Sequence, residues 1–480
     1  MFATTFLGHQ GWAFQSVKTA LLVDPLLVED FGHAQALDYR VFPPRVWTPS
    51  AMPKLDAVIL SHEHDDHFDI PSLAKLDRKI PIYLSSRSSS AARTILAEMG
   101  FSVHLLSPGV PVKLGDLEVT PFAGDHVETG TGDEWDTLPF LVRSTEGHGC
   151  FFSMVDIPIT QQHIEWAAAR AMKPGVLSWT NNAMDWSHMA GYLSERLDAT
   201  QKCLIDMGVG HKLVTQVWGM PLAMVMCAGG FAFHDELEWL NRRVFCVDTD
   251  AVCAQMAKLY KTEKFVSGIP GQTFVMQANK LKAIEPSAPF LTTTPRESWP
   301  ARAKVPGSPA EASYAPATRA ELAPGELDAL PAALDMFARA LVGGLTFRSL
   351  CSLLDSECDG RAATFALVLR DGDRRHAFIY EPSACRFVPA DADGLDKRVI
   401  AGFECWAGDF AAVLAARLGP IALSFNRSRL WNHVKRFRFD IFPDLYRVSH
   451  PLRAPEAYLA TYRRLWEQAK ATEPVFFAKG

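Results

Sequence analysis

Ser61-His62-Glu63-His64-Asp65-Asp66-His67 follows directly on the apolar run Ala57-Val58-Ile59-Leu60. A short apolar run bounded by polar residues reads as a buried strand. A loop leaving its end can turn several side chains toward one point. Three histidines and three acids in seven residues form such a set. Imidazole suits Zn, Fe or Ni, and carboxylate adds a hard oxygen donor. His62 and His64 alternate along an extended segment and share a face, while Asp66 and His67 can face a neighbouring position. One loop can therefore serve two cations. A lone histidine is more often an ordinary surface or core residue; this density directly after a strand is a different signal.

The surroundings of the loop are rich in strands. Ala20–Asp24 (ALLVD) is another apolar run ending in a polar residue, followed by Pro25. Polar groups at strand ends are where sites gather in layered α/β proteins. Ser88–Met99 has serine caps, helical spacing and a following Gly100, so it predicts a helix. Gly115-Asp116 predicts a hairpin turn. From Gln161 to Lys258 helical and strand-like stretches alternate: Met220–Cys227 is strand-like, Asp235–Arg243 is amphipathic, and Gly268–Gln277 reads as a turn feeding a last strand. Between Pro286 and Pro331 nine prolines stand among Ala, Ser and Thr, a texture that reads as a linker wrapped over a surface. Beyond it, Leu327–Val342 predicts a helix, Thr364–Leu369 and His376–Tyr380 a β-hairpin around Asp371-Gly372, and Asp409–Leu418 and Glu456–Lys470 two more helices.

The pattern His62-x-His64-x-Asp66-His67 resembles the signature of the metallo-β-lactamase superfamily. Phe6-Leu7-Gly8-His9-Gln10-Gly11 with Ala20–Pro25 resembles that family's opening strands, and Pro270-Gly271 with Thr273-Phe274 its closing strand. The resemblance covers about residues 1–285. It implies an α/β fold, an αββα sandwich of two sheets with metals at one edge, here followed by a linker over 286–325 and a smaller α+β C-terminal domain over 326–480. It also implies further ligands. His126, after the strand-like Leu117–Pro121, matches a third-motif histidine, with Asp125 and Glu128 beside it. Asp156, ending Cys150–Val155, matches a bridging aspartate; the plainer reading is a turn cap. The last ligand is a histidine after a late strand. His234, after Leu222–Cys227, matches that position best; His188, in an aromatic and polar loop, is a second choice, and His211 reads as ordinary surface.

The ligand set His62, His64, Asp66, His67, His126, Asp156 and His234 implies two divalent ions, Zn or Fe, with Mn acceptable. Two cations sharing Asp156 make hydroxide available near neutrality and polarise a carbonyl or phosphoryl oxygen. Asp66 is the catalytic candidate, taking the proton or steering the hydroxide. This predicts a hydrolase of an ester, amide, lactone or phosphodiester. The same ligands can hold two irons for O2-dependent hydroxylation, as in the sugar-nucleotide hydroxylase of sialic acid metabolism or diiron hydroxylases of antibiotic assembly. Asp65, Asp125 and Glu128 add carboxylates that favour iron. Trp135, Trp179 and Trp186 add aromatics, more often core than pocket. The chain carries no Rieske or flavodoxin-like motif, so an oxygenase needs a separate electron donor. A non-catalytic scaffold is the third reading, and the intact ligand set argues against it.

Composition bounds the rest. The 480 residues carry a net charge of −6, which argues against nucleic acid as partner. The nine cysteines form no CxxC pair, which fits free thiols in a reducing compartment. The N-terminus lacks a signal-peptide pattern, and no apolar run approaches the roughly 18 residues of a membrane span. The expectation is a cytoplasmic protein with a small-molecule substrate and no membrane partner; a homodimer stays open.

Overall fold

The computed structural model describes residues 1–33, 39–124, 135–170, 173–181, 199–219, 223–242, 247–262, 264–300, 321–424 and 427–480. An eight-stranded sheet runs in the order Lys280–Glu285, Thr273–Gln277, Phe2–Gly8, Gly11–Gln15, Ala20–Val23, Ala57–Leu60, Ile82–Ser85, Val103–Leu106. A seven-stranded sheet runs Val112–Leu114, Leu117–Pro121, Phe140–Ser144, Cys150–Ser153, Val176–Thr180, Ala223–Cys227, Phe265–Ser267.

Strand periodicity sorts the side chains into layers. Side chains alternate across a strand. Ala57 and Ile59 therefore join Leu21, Val23, Phe14 and Trp12 in the core between the sheets, where they meet Phe140, Val142, Phe151 and Val225. Val58, Leu60 and Leu22 point the other way, into a layer with Leu73, Ile95 and Leu96 of the helices Ile70–Ala74 and Ser90–Glu98. The helices Gln161–Ala168, Ala199–Trp218 and Thr249–Tyr260 cover the outer face of the second sheet. The order is helix, sheet, sheet, helix, as the resemblance implies.

Local signals explain most element ends. Ser89 caps its helix by accepting from the amides of Ala91 and Ala92. Gly115, with φ +58, turns the hairpin between Val112–Leu114 and Leu117–Pro121. One expectation is corrected. Thr273–Gln277 is not the last strand of its sheet, because Lys280–Glu285 pairs with it antiparallel. That outer strand is exposed or half-exposed along its length and carries Lys280, Lys282 and Glu285. A charged edge strand shields the sheet's open side and lacks the apolar alternation that would announce it.

The C-terminal portion holds a five-stranded sheet in the order Arg386–Ala390, Arg374–Glu381, Ala362–Asp371, Val399–Trp406, Ser428–Asn432. The helices Glu326–Leu341 and Ala407–Leu414 pack on it through Leu334, Phe337, Phe410 and Val413. The same core includes Phe31, Tyr39, Val41, Phe231 and Phe233 from the first domain. Of the stretch read as linker, residues 286–300 lie along the first domain, where Leu291–Thr293 pairs with Arg45–Trp47. Residues 301–320 lie outside the described residues. At the chain end, the helix Pro455–Ala469 returns to the first domain and buries Tyr462 and Leu465 in its helix layer.

Among the described residues no single helix is long and apolar enough to cross a membrane. The bent pair Glu326–Leu341 and Leu345–Cys351 passes that test only together, and it buries Leu330, Leu334, Phe337 and Leu350 in the C-terminal core.

Candidate metal centre

Three strand ends converge on one point. Asp24 ends its strand with φ +45, and its carboxylate accepts from the Ser61 amide at 2.7 Å and the Ser61 hydroxyl at 2.6 Å. The start of the histidine loop is thereby tied to the neighbouring strand. Asp24 also accepts from His67 Nδ1 at 2.8 Å. A carboxylate behind an imidazole fixes its tautomer and aims the other nitrogen. His67 Nε2 accordingly faces Asp156 Oδ2 at 3.0 Å and Asp66 Oδ2 at 3.6 Å.

Asp156 follows the strand Cys150–Ser153, and Gln10 pins it. Gln10 Nε2 reaches Asp156 Oδ1 at 3.0 Å, the Val155 carbonyl at 2.9 Å and Thr180 Oγ1 at 3.0 Å. The Cys227 thiol donates to Gln10 Oε1 at 3.1 Å. His62 directs Nδ1 to the Ser61 hydroxyl at 2.9 Å and holds Nε2 3.8 Å from Asp156 Oδ2. The His62 ring lies 4.5 Å from His64 and 4.1 Å from His67.

Two donor groups result. His62, His64 and Asp156 each offer an atom within 4.8 Å of the others, and so do His9, Asp66 and His67. These are the donors that metals of the Zn and Fe type accept. Their own electrostatics suit cations. Burial disfavours charge on Asp66, yet His67, His9 and His64 hold its carboxyl well below the usual range. Burial likewise opposes ionisation of Asp156, and His67 and His62 outweigh it. His67 is driven the other way: burial lowers its pKa, but Asp66, Asp156 and Asp24 raise it well above the ordinary imidazole value. The pocket is thus arranged around partly buried carboxylates that stay ionised and call for positive charge.

Of the residues expected from sequence, the structure brings His62, His64, Asp66, His67 and Asp156 together. His126, Asp125, Glu128, His188 and Trp186 lie outside the described residues. His234 stands in neither group; its Nδ1 is 2.7 Å from Asp235 Oδ2. His211 is corrected from surface to interior. It is 8% exposed, on the helix Ala199–Trp218, with its ring 3.8 Å from Tyr260. Trp179 is core, packed so tightly on Gly210 that a Cβ there would overlap its ring.

Sequence reasoning missed His9 and Gln10 as site residues, and it marked Asp24 only as a polar strand end. His9 occupies the tight turn between Phe2–Gly8 and Gly11–Gln15, is 2% exposed, and places Nε2 2.7 Å from Asp66 Oδ2. Two polar residues enclosed between Gly8 and Gly11 in an otherwise apolar hairpin were the available signal.

The C-terminal portion walls one side of the centre. Glu63, His64, Asp65 and Trp135 share a narrow cleft with Tyr446, His450 and Tyr458. Burial holds the Glu63 carboxyl up at about 8, with the nearby Asp136 adding to the effect. The His450 ring lies 3.8 Å from Trp135. Burial, then Arg453 and His64, lower its pKa to about 4. A histidine depressed in the native state binds its proton first in the unfolded chain. Its stabilising contribution is therefore present above the unfolded value of about 6.5 and lost as pH falls from there to about 4. His450→Gln is expected to flatten thermal stability against pH in that window; equal slopes for both proteins would refute the assignment.

A model of the beta-lactamase superfamily domain matches residues 19–215. No curated protein matches the chain. Among solved structures it is similar to the isothiocyanate hydrolase from Delia radicum gut bacteria, with 17% identity over 57% of this chain and 99% of that one and a TM-score of 0.39. It is also similar to a possible metal-dependent hydrolase from Veillonella parvula, at 14% identity, 57% and 99% coverage and a TM-score of 0.39. A third similar structure is CmlA, a diiron beta-hydroxylase from Streptomyces venezuelae, at 15% identity, 57% and 54% coverage and a TM-score of 0.37.

Proposed function

We propose that this chain, whose residues 19–215 match a model of the beta-lactamase superfamily domain, is a dinuclear metal-dependent hydrolase acting on an ester, amide, lactone or phosphodiester bond of a small molecule. The observation that carries the reading is the pair of donor groups joined at Asp156, whose Oδ2 lies 3.0 Å from His67 and 3.8 Å from His62. His62, His64 and Asp156 would hold one cation, with His126, which lies outside the described residues, as a further donor. Asp66, His67 and Asp156 would hold the other. Zn is the proposed occupant. When bound, two such cations acidify water and polarise a carbonyl or phosphoryl oxygen.

The chain's own residues supply placement. Asp24 keeps His67 Nε2 aimed inward, and Gln10 keeps Asp156 between the groups. Asp66 is held ionised well below the usual carboxylate range. Such a group is a weak base at neutral pH, so its part is to hold and orient. A cleft lined by His450 and Tyr458 borders the His64 side.

Elemental analysis of protein purified without added metal tests the reading. The expected result is two equivalents of Zn, with turnover of generic esters, lactones or phosphodiesters that a chelator abolishes and Zn restores. Two equivalents of Fe with O2 uptake in the presence of a reductant would replace hydrolysis by oxygenation. A folded protein that binds no metal would overturn both.

A further inference from the structure

Beside Asp156 the fold leaves a cavity of about 330 Å³, between the ends of the strands Cys150–Ser153 and Val176–Thr180 and the helix Ala199–Trp218. Small-molecule sites run from about 300 to 1,000 Å³ and are mostly apolar, with a few placed polar groups. Asp156 belongs to the lining, so an occupant lies next to the carboxylate whose Oδ2 is 3.0 Å from His67 and 3.8 Å from His62. We infer that this cavity receives the apolar part of the substrate and that Trp179 bounds it. At the roughly 30 Å³ that a water-sized group occupies, the occupant is an acyl or alkyl group of up to about ten non-hydrogen atoms. The inference deepens the hydrolase reading and rests on it.

The lining selects for hydrocarbon. Met154, Ile157 and Trp179 are buried side chains in its wall. The polar residues among them already have protein partners. The Ser178 hydroxyl donates to Ser153 Oγ at 2.7 Å, and Thr180 Oγ1 donates to the Val155 carbonyl and accepts from Gln10 Nε2 at 3.0 Å. The Cys203 thiol donates to Asn181 Oδ1 at 3.6 Å, and burial pushes it up to about 12. It is therefore a neutral wall group and no nucleophile. On the exposed side Lys202 Nζ pairs with Asp206 Oδ2 at 3.5 Å. That pair presents both signs, so the mouth favours neither a cationic nor an anionic end of the substrate.

The position of Trp179 has a local cause. Glycine inside a helix is destabilising, yet Gly210 stands inside Ala199–Trp218. A Cβ at Gly210 would overlap the Trp179 ring. The helix thus gives up a side chain to seat the indole. Any side chain at that position forces the ring off its seat, and the space it can move into is the cavity it lines.

Calorimetric titration of straight-chain primary alcohols, ethanol to octanol, into the full-length protein as purified tests the assignment apart from activity. Affinity is expected to rise about fourfold per methylene. Gly210→Ala is expected to weaken octanol binding by about tenfold or more, the value of roughly two such methylenes. Adding Trp179→Leu to Gly210→Ala removes the overlap and is expected to restore it. A flat series in wild type, or octanol affinity in Gly210→Ala within about threefold of wild type, overturns the inference. An octanol carrying a diazirine maps the site without any variant. After irradiation, peptide mass spectrometry is expected to find the label within 154–159, 178–181 or 202–210, and label confined to other segments overturns the inference. Zn-loaded protein should then show kcat/KM rising by a similar factor per methylene along p-nitrophenyl esters from acetate to octanoate. Esters turned over without that trend, while the alcohols bind, would give the cavity to another ligand and overturn the inference. No turnover of any ester, with alcohol binding intact, overturns the hydrolase reading and with it the substrate role of the cavity.

Discussion

Asp156→Asn is expected to strip the protein of its bound metal and of hydrolytic activity while leaving the sandwich folded. The substitution is nearly isosteric. Gln10 Nε2 still finds an oxygen where it now meets Asp156 Oδ1 at 3.0 Å, so the loop keeps its anchor. What changes is the other oxygen. An amide NH2 replaces the Oδ2 that lies 3.0 Å from His67 and 3.8 Å from His62. An oxygen donor disappears from both cation positions at once, and a proton donor is set against His67 Nε2. Cations at such sites provide several kcal/mol of transition-state stabilisation. At about 1.4 kcal/mol per factor of ten, their loss lowers kcat/KM by roughly 10³-fold or more. Elemental analysis, a chelator-sensitive turnover assay and circular dichroism check the three parts of this outcome. A folded variant that keeps two cations and acts within tenfold of wild type would contradict the shared-carboxylate reading.

The same residue shows what was legible in the sequence. Asp156 could be picked out because it ends an apolar run, and the loop His62–His67 because its chemistry is packed into consecutive positions. Layering was legible for a related reason: alternation within Ala57–Leu60 and Ala20–Val23 is local, and each strand declares its two faces. The particular roles of His9, Gln10 and Asp24 were not legible, since they exist only across long separations, although Asp24 stood out as a polar strand end. His9 meets Asp66 at 57 residues' distance, Gln10 meets Asp156 at 146, and Asp24 meets His67 at 43. The C-terminal wall was invisible for another reason. His450 and Tyr458 sit in and beside a chain reversal that brings the last helix back across the first domain, and nothing in their neighbourhood marks the partner.

That return of the chain supports the second large effect. Phe476→Ala is expected to destabilise the first domain, although the residue lies four places from the C-terminus. Phe476 is 2% exposed and its ring lies 5.4 Å from Trp47. Its amide donates to the Lys75 carbonyl at 3.2 Å, and its carbonyl accepts from the Asp77 amide at 2.8 Å. On either side, Val475 donates to Lys75, and Leu55 exchanges hydrogen bonds with Phe477 and Lys479. The tail thus fills a gap between the segments around Leu55 and Leu76 and adds to the layer that also holds Phe68, Tyr462 and Leu465. Truncating a buried phenylalanine costs about 3–5 kcal/mol where the surroundings cannot collapse. A segment held by a short row of hydrogen bonds can also open locally, so the cost is capped by the free energy of that opening. With about 2–4 °C of Tm per kcal/mol for a domain of this size, the expected fall is roughly 6–20 °C, less if the tail detaches first. Phe477 points outward at 52% exposure, and Phe477→Ala should stay within about 0.5 kcal/mol of wild type. Peeling has a consequence beyond Tm. The Tyr462 ring sits 5.2 Å from Phe68, the residue after His67, so a loosened tail reaches the metal loop through one packed pair. Thermal melts of both variants with and without added Zn separate the outcomes: a lower Tm for Phe476→Ala that Zn partly restores fits a tail that braces the loop, whereas equal melting of the two variants would show that the chain end carries none of the first domain's stability.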